Sequence, residues 1–288
     1  MDPNQSAAAL IRRRYSCRTY IEKPIEADLR RQLEALLQAH IQGPLGTRAR
    51  FRLIAADTHK RDALQDLGTY GFIRGATGFI VGAVPDLGPN LEDYGYLMEN
   101  LILGATGMGL GTCWLGGSFT KSTFADSIAA TEDEIVPAVA DIGYPARRRR
   151  LFEKAIRWGA GSDNRKPVHD LFFYVDFQTP VTVVEDGLAP LEMVRLAPSA
   201  SNRQPWRVIV TGDKRNFHFY LQRTRRYYKR NRILFNMADL QRVDMGIAMC
   251  HFELSCRKQG LKGRWVVQDP GLDWVPELTE YIVTWQQA

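Results

Sequence analysis

Two stretches of this chain carry the same residues in the same order, and that repetition limits its fold more than any other feature. Gly95, Met98, Leu103, Gly109, Leu110 and Trp114 match Gly246, Met249, Leu254, Gly260, Leu261 and Trp265, each pair 151 residues apart. Phe51-Arg52 likewise matches Trp206-Arg207 at a spacing of 155. A buried helix, a glycine turn and a tryptophan thus occur twice in one order, which is the sign of an internal duplication. On this reading the 288 residues divide into a first half, residues 1–170, and a second, shortened half, residues 171–288.

Hydrophobic spacing gives the elements of each half. Leu29, Leu33, Leu36 and Leu37 share one face of Glu26–Ala39 and predict an amphipathic helix after Pro24. Arg50–Ala56 and Gly78–Val84 read as buried strands, and Ala138–Ile142 as a short strand closed by Gly143-Tyr144-Pro145. Leu91–Met108 is helical, with Leu97, Leu101, Ala105 and Met108 on one face. In the second half, Leu191–Leu196 is a short helical run ended by Pro198. Trp206–Thr211 and Asn216–Leu221 predict a hairpin across Gly212-Asp213. Asp239–Gln259 is apolar nearly all round, as a buried helix is, and Arg264–Val267 and Tyr281–Trp285 are terminal strands. Arg147–Pro190, arginine-rich and then aromatic, reads as a linking arm.

Composition excludes several classes of function. With 45% hydrophobic and 24% charged residues the chain is an ordinary globular one, not a disordered one. Its four cysteines, Cys17, Cys113, Cys250 and Cys256, form no C-x-x-C pair, so reduced thiols in a cytoplasmic protein are expected, neither a disulfide framework nor a zinc site. Cys250-His251 sits inside an apolar helix without spaced partner ligands and reads as a core pair. Leu97–Gly117 carries a single formal charge, Glu99; its six glycines make it a buried helix entering a turn and not a membrane span. The start, MDPNQSAAALIRRRYS, has too short an apolar core for a signal peptide. The net charge of +6 comes with 29 arginines against nine lysines, a bias toward anionic partners.

Two segments carry candidate chemistry. If the chain is extended after Arg14, then Arg14, Ser16 and Arg18 alternate and point one way, so that two guanidinium forks and a hydroxyl converge as a phosphate monoester requires. Ala197-Pro198-Ser199-Ala200-Ser201-Asn202-Arg203-Gln204-Pro205-Trp206 pins small and amide side chains between two prolines, a suitable wall for a flat polar ligand. Pro-Ser-x-x-Asn-x-Gln-Pro-Trp, preceded far upstream by Arg-x-Ser-x-Arg, resembles the FMN-dependent nitroreductase family. The helix running into Gly109-Leu110-Gly111-Thr112-Cys113-Trp114-Leu115-Gly116-Gly117, and Gly143-Tyr144-Pro145, are similar to that family too, so the likeness covers nearly the whole chain.

The resemblance implies an α+β fold: a central, largely antiparallel sheet flanked by helices, with two interlocked halves forming an intrachain pseudo-dimer. It implies FMN as cofactor and hydride transfer from NAD(P)H to a small acceptor such as a nitro compound or quinone. By the same resemblance, Arg14, Ser16 and Arg18 hold the FMN phosphate and ribityl end with Tyr15 beside them. Leu115, Gly116 and Gly117 lie along the flavin ring, Arg165 completes the phosphate site, and Pro198, Ser199, Ala200 and Asn202 form the strip that a partner subunit contributes in relatives. Each half departs from the pattern where the other keeps it. The first half has Gly43-Pro44-Leu45-Gly46-Thr47-Arg48-Ala49-Arg50 in place of the strip, and the second lacks Arg-x-Ser-x-Arg before its helix. A fused, diverged dimer with one FMN per chain, monomeric in solution, is therefore expected. No Ser-His-Asp, Cys-His or paired-carboxylate arrangement offers a separate catalytic nucleophile or acid. The alternatives are a flavin store or sensor with little turnover, and a nucleic-acid binder using Arg147–Arg150 and the basic, aromatic stretch 223–232; the leading reading involves neither nucleic acid nor membrane.

Overall fold

The strand pairing repeats in the two halves. β1 (Tyr20–Ile21), β2 (Arg50–Ala55), β3 (Gly78–Pro85), β4 (Gly111–Leu115), β5 (Glu134–Ile135) and β6 (Val139–Pro145) make one sheet whose main run is β4-β6-β3-β2. β7 (Phe172–Tyr174), β8 (Trp206–Val210), β9 (Asn216–Gln222), β10 (Gly263–Val266) and β11 (Thr279–Gln287) make a second, in the order β10-β11-β9-β8-β7. Apart from β7 on β8, which is parallel, these pairings are antiparallel. The computed structural model that carries these elements describes residues 6–55, 73–117, 121–146, 164–225, 227 and 238–288. The α+β class and the largely antiparallel pairing are as expected, with the sheet divided in two.

The helices are α1 (Ala7–Arg13), α2 (Ala27–Ala39), α3 (Asn90–Gly107), α4 (Lys121–Ile128), α5 (Val168–Leu171), α6 (Ala189–Arg195) and α7 (Leu240–Lys258). α3 packs on the first sheet, α7 on the second, and the two helices pack on each other between them. α3 is buried from Asn90 to Thr106, its polar Glu92, Asp93 and Glu99 included. Their crossing is built on glycine. A Cβ at Gly95 would lie 2.1 Å from the Val243 carbonyl oxygen, and one at Gly246 only 1.8 Å from that of Glu92. Glu92 and Val243 are themselves 151 residues apart, as Gly95 and Gly246 are, so the contact is reciprocal in the way of an isologous interface.

Both helices end in the same manner. Gly109 (φ +81°) and Gly260 (φ +72°) take the left-handed conformation that favours glycine. Their N–H groups donate to Thr106 and Arg257 carbonyls at 3.1 Å, and the Leu110 and Leu261 N–H groups to Ala105 and Cys256 at 3.0 Å. This Schellman pattern satisfies carbonyls that a helix end otherwise leaves open. Trp114 and Trp265 then turn back, each indole N–H donating at 2.7 Å to a glutamate of the preceding helix, Glu99 or Glu253.

Two expectations change. Gly111–Leu115 reads as part of a glycine turn and is strand β4, held on β6 from Gly111↔Gly143 to Leu115↔Val139. Of the arm Arg147–Pro190, residues 147–163, with Arg147–Arg150, lie outside the described residues, whereas from 164 onward it contributes α5 and β7. All four cysteines are buried and free. Among the described residues no helix is long and apolar enough to cross a membrane.

Candidate functional site

α1 starts at Ser6, whose hydroxyl accepts the Ala9 N–H at 3.2 Å, and ends at Arg14, where the backbone turns extended. Ser16 then bridges Thr112 in parallel, and the Cys17 N–H donates to the Thr112 carbonyl at 2.9 Å, so Arg14-Tyr15-Ser16-Cys17-Arg18 runs beside β4. The extension expected after Arg14 is observed. The Arg14 side chain is only 6% exposed and lies 3.7 Å from the Glu99 carboxylate. Its Nε and Nη1, and Arg18 Nη1, are buried and reach no hydrogen-bond acceptor among the described residues. Tyr15, half-buried, packs against the cluster that includes Cys17 and Leu115.

Glu99 is the centre of a polar group that crosses between the halves. It accepts from Trp114 at 2.7 Å and meets His251 Nε2 at 3.0 Å, while His251 Nδ1 donates to the Met193 carbonyl at 2.9 Å. The sequence reading of His251 as a core residue stands, but its partner is an acid of the other half and not its neighbour Cys250. A buried acid needs a donor such as the Trp114 indole N–H, since an unpaired carboxylate costs several kcal/mol.

The flavin-edge candidates lie at the end of β4: Leu115 is buried, Gly116 half-buried and Gly117 exposed. A Cβ at Gly116 would stand 2.5 Å from Leu240, the first residue of α7. One turn along that helix, Asp244 accepts the Ala200 N–H at 2.9 Å. Gly116 and the strip therefore lie against neighbouring turns at the start of α7. Within the strip, the Gln204 N–H donates to the Ser199 hydroxyl at 2.9 Å, and Asn202 Nδ2 to the Asn164 carbonyl at 2.9 Å. Pro198 leads into it from α6. Arg165 reaches Asn202 Oδ1 at 3.4 Å and the Leu196 carbonyl at 3.2 Å, so that candidate does join the strip. Among the described residues, Arg14 alone of the three phosphate candidates reaches toward the strip, through Glu99 and His251 to the Met193 carbonyl of α6, the helix that precedes it.

The strip is strained. Ser201, Asn202 and Gln204 hold φ near +50° (50°, 51° and 49°), where non-glycine residues are uncommon. Around it stand cations that the sequence does not single out. The Lys166 N–H donates to Gln204 Oε1 at 2.8 Å, and burial, reinforced by the Arg207 guanidinium, lowers the Lys166 ammonium to about 8. Burial likewise lowers Arg207 to about 10. Of the stretch 223–232, Arg226 and residues 228–232 lie outside the described residues. Arg223 pairs with Asp239 and Glu280, and Arg225 with Glu277. Tyr227 packs on the strip, its hydroxyl 3.2 Å from that of Ser201 and its ring under Arg203.

The family model described as "Putative TM nitroreductase" matches residues 7–256. The chain belongs to this nitroreductase family. A Thermotoga maritima nitroreductase-family chain of the same description is 20% identical, covers 99% of this chain and 95% of its own, and superposes with a TM-score of 0.59, which shows a shared fold. A Bacteroides fragilis nitroreductase with bound FMN is 22% identical over 51% of this chain and 92% of its own, with a TM-score of 0.41. An FMN-dependent nitroreductase from Clostridium difficile is 16% identical over 49% and 88%, with a TM-score of 0.40. No protein of curated function matches the sequence.

Proposed function

We propose that this nitroreductase-family chain is an FMN-dependent oxidoreductase of the cytoplasm. It would take a hydride from NAD(P)H and pass it to a small acceptor, a nitro compound, a quinone or a similar molecule. We further infer that it is a fused dimer, residues 1–170 and 171–288, whose single flavin site uses the first half's Arg14–Arg18 and Leu115–Gly117 and the second half's strip. The observation that carries this reading is that Gly116 lies against Leu240 and the Ala200 N–H is held by Asp244, one turn further along α7. The reciprocal Gly95–Gly246 crossing supports the duplication.

The donor set fits a phosphate-bearing flavin. Arg14 Nε and Nη1 and Arg18 Nη1 are buried guanidinium nitrogens without acceptors among the described residues, and an incoming dianion satisfies them. Ser16 adds a hydroxyl, and Arg165, already against Asn202, a third guanidinium. Leu115, Gly116 and Gly117 would lie along the ring, with no room for a side chain at Gly116, whose added carbon would meet Leu240. Pro198, Ser199, Ala200 and Asn202 would close the opposite side, offering amide and hydroxyl partners at close range. Bound FMN would supply the two-electron chemistry, so the protein's task is to orient it and keep water from its edge.

The test is an anaerobic titration of the purified protein with FMN and with riboflavin, followed by NAD(P)H. FMN is expected to bind and NAD(P)H to bleach it. Arg14→Ala with Arg18→Ala should weaken FMN by on the order of 10²-fold, since charge-assisted bonds contribute about 1.5–3 kcal/mol each. Riboflavin, which has no phosphate, should be unaffected. Equal affinity for the two flavins in the wild type would remove the phosphate assignment, and the absence of steady-state NAD(P)H oxidation would leave a flavin store.

A further inference from the structure

We propose that Asp244 is a positioning residue for the flavin-facing strip, and that Asp93 is its counterpart on a strip that holds no cofactor; this rests on the flavin reading of the site. The two aspartates are 151 residues apart, each two residues before the crossing glycine of its helix. Asp244 accepts the Ala200 N–H at 2.9 Å, and Asp93 accepts the Leu45 N–H at the same 2.9 Å. Leu45 and Ala200 are 155 residues apart, the spacing of the Phe51/Trp206 match, so the same anchor joins the same two places in each half.

The two anchors hold different loops. In the first half, Asp93 has both oxygens engaged, the second by the Thr47 N–H at 2.7 Å, and the left-handed position falls on Gly46 (φ +97°), where it costs little. In the second half the matching position is Ser201, and Asn202 and Gln204 are left-handed too. A loop with three such residues reverts to ordinary conformations unless its surroundings fix it. The hydrogen bond from Ala200 ties its first residue to a rigid helix, next to the turn where Gly116 packs. Asp244 itself is 2% exposed, and burial holds its carboxyl well above the usual range. One of its oxygens, Oδ2, has no partner among the described residues, whereas Asp93 uses both. Strain kept with non-glycine residues on one strip and relaxed by glycine on the other separates a working strip from a drifted one.

The experiment compares Asp244→Ala, Asp244→Asn and Asp93→Ala in the full chain, by FMN titration and by amide hydrogen exchange of residues 199–204 in flavin-free protein. Asp244→Ala should weaken FMN by about tenfold or more, the loss of one anchoring hydrogen bond and the order it maintains. Asp244→Asn, whose Oδ1 still accepts from Ala200, should restore binding to within about threefold. Asp93→Ala should leave FMN affinity within about threefold of the wild type. Exchange across residues 199–204 should rise in Asp244→Ala and in neither other variant. If Asp93→Ala weakens FMN as much as Asp244→Ala, or if exchange in the strip is unchanged by Asp244→Ala, the positioning role is wrong. Should Asp244→Ala not fold, a failure of Asp244→Asn to bind like the wild type overturns it. A wild type that binds no flavin defeats the proposed function, and the exchange comparison still decides whether Asp244 orders the strip.

Discussion

Asp141 shows how a single buried group can set a pH response. It lies in β6, fully buried, and burial pushes its carboxyl up to about 8, with Tyr20, the Cys113 N–H and Arg18 pulling the other way. Tyr20 Oη touches both Asp141 and, at 2.8 Å, the Cys17 carbonyl. One phenolic proton cannot serve both, so a protonated Asp141 completes the chain by donating to the phenol while the phenol donates to Cys17. The folded chain therefore keeps a proton that the unfolded chain has lost above the ordinary carboxylate value of 3.8. Stability from this source is full below that value and is lost as pH rises through about 8. Asp141→Asn removes the titration, so its melting temperature should gain on the wild type's between about pH 5 and about pH 8.5. A constant difference across that range would show that Asp141 is charged throughout. None of this is visible in the sequence, where Asp141 is one polar residue within an apolar strand.

At the scale of elements, the α3–α7 crossing tolerates no side chain at Gly95 or Gly246. Gly246→Ala would press a methyl group into the Glu92 carbonyl, and backbone cannot swing aside as a side chain can. Unfolding by urea should show a loss of at least about 3 kcal/mol, against about 0.5 kcal/mol or less for Gly212→Ala, where the added carbon meets nothing within 4 Å. Comparable losses for the two would mean that the helices are not in close contact at Gly246. The helices and their glycine ends were legible because periodicity and a left-handed cap are local features. α2, the β8–β9 hairpin and the terminal strands were legible for the same reason. β7 was not, because three residues, Phe172–Tyr174, are too few to show alternation and their pairing with β8 is parallel and distant in sequence. The Asp93 and Asp244 anchors escaped notice because a carboxylate that accepts a loop N–H more than 40 residues away in sequence leaves no pattern nearby.

Over the whole molecule, the motifs name candidate residues and the fold decides which of them come near one another. The sequence has one arginine segment and one strip, in different halves, and says nothing of the distance between them. The structure brings Gly116 and Ala200 to successive turns of α7, and carries Arg14 toward α6 through Glu99 and His251. That group contains four side chains that no local motif connects, and Glu99→Gln should change FMN and riboflavin binding unequally because it frees Arg14 without removing it. FMN affinity is expected to rise by about threefold or more, as expected when a competing carboxylate is neutralised, with riboflavin unchanged; a fall in FMN affinity would show that Glu99 holds Arg14 in its binding position. The central claim is that one chain builds one flavin site from its two halves. Native mass spectrometry of the FMN-saturated protein at low micromolar concentration tests it most directly, since it counts chains and cofactors together. The expected species is a single 32.7 kDa chain carrying one FMN; a flavin found only on dimers, or two FMN molecules on one chain, would contradict it.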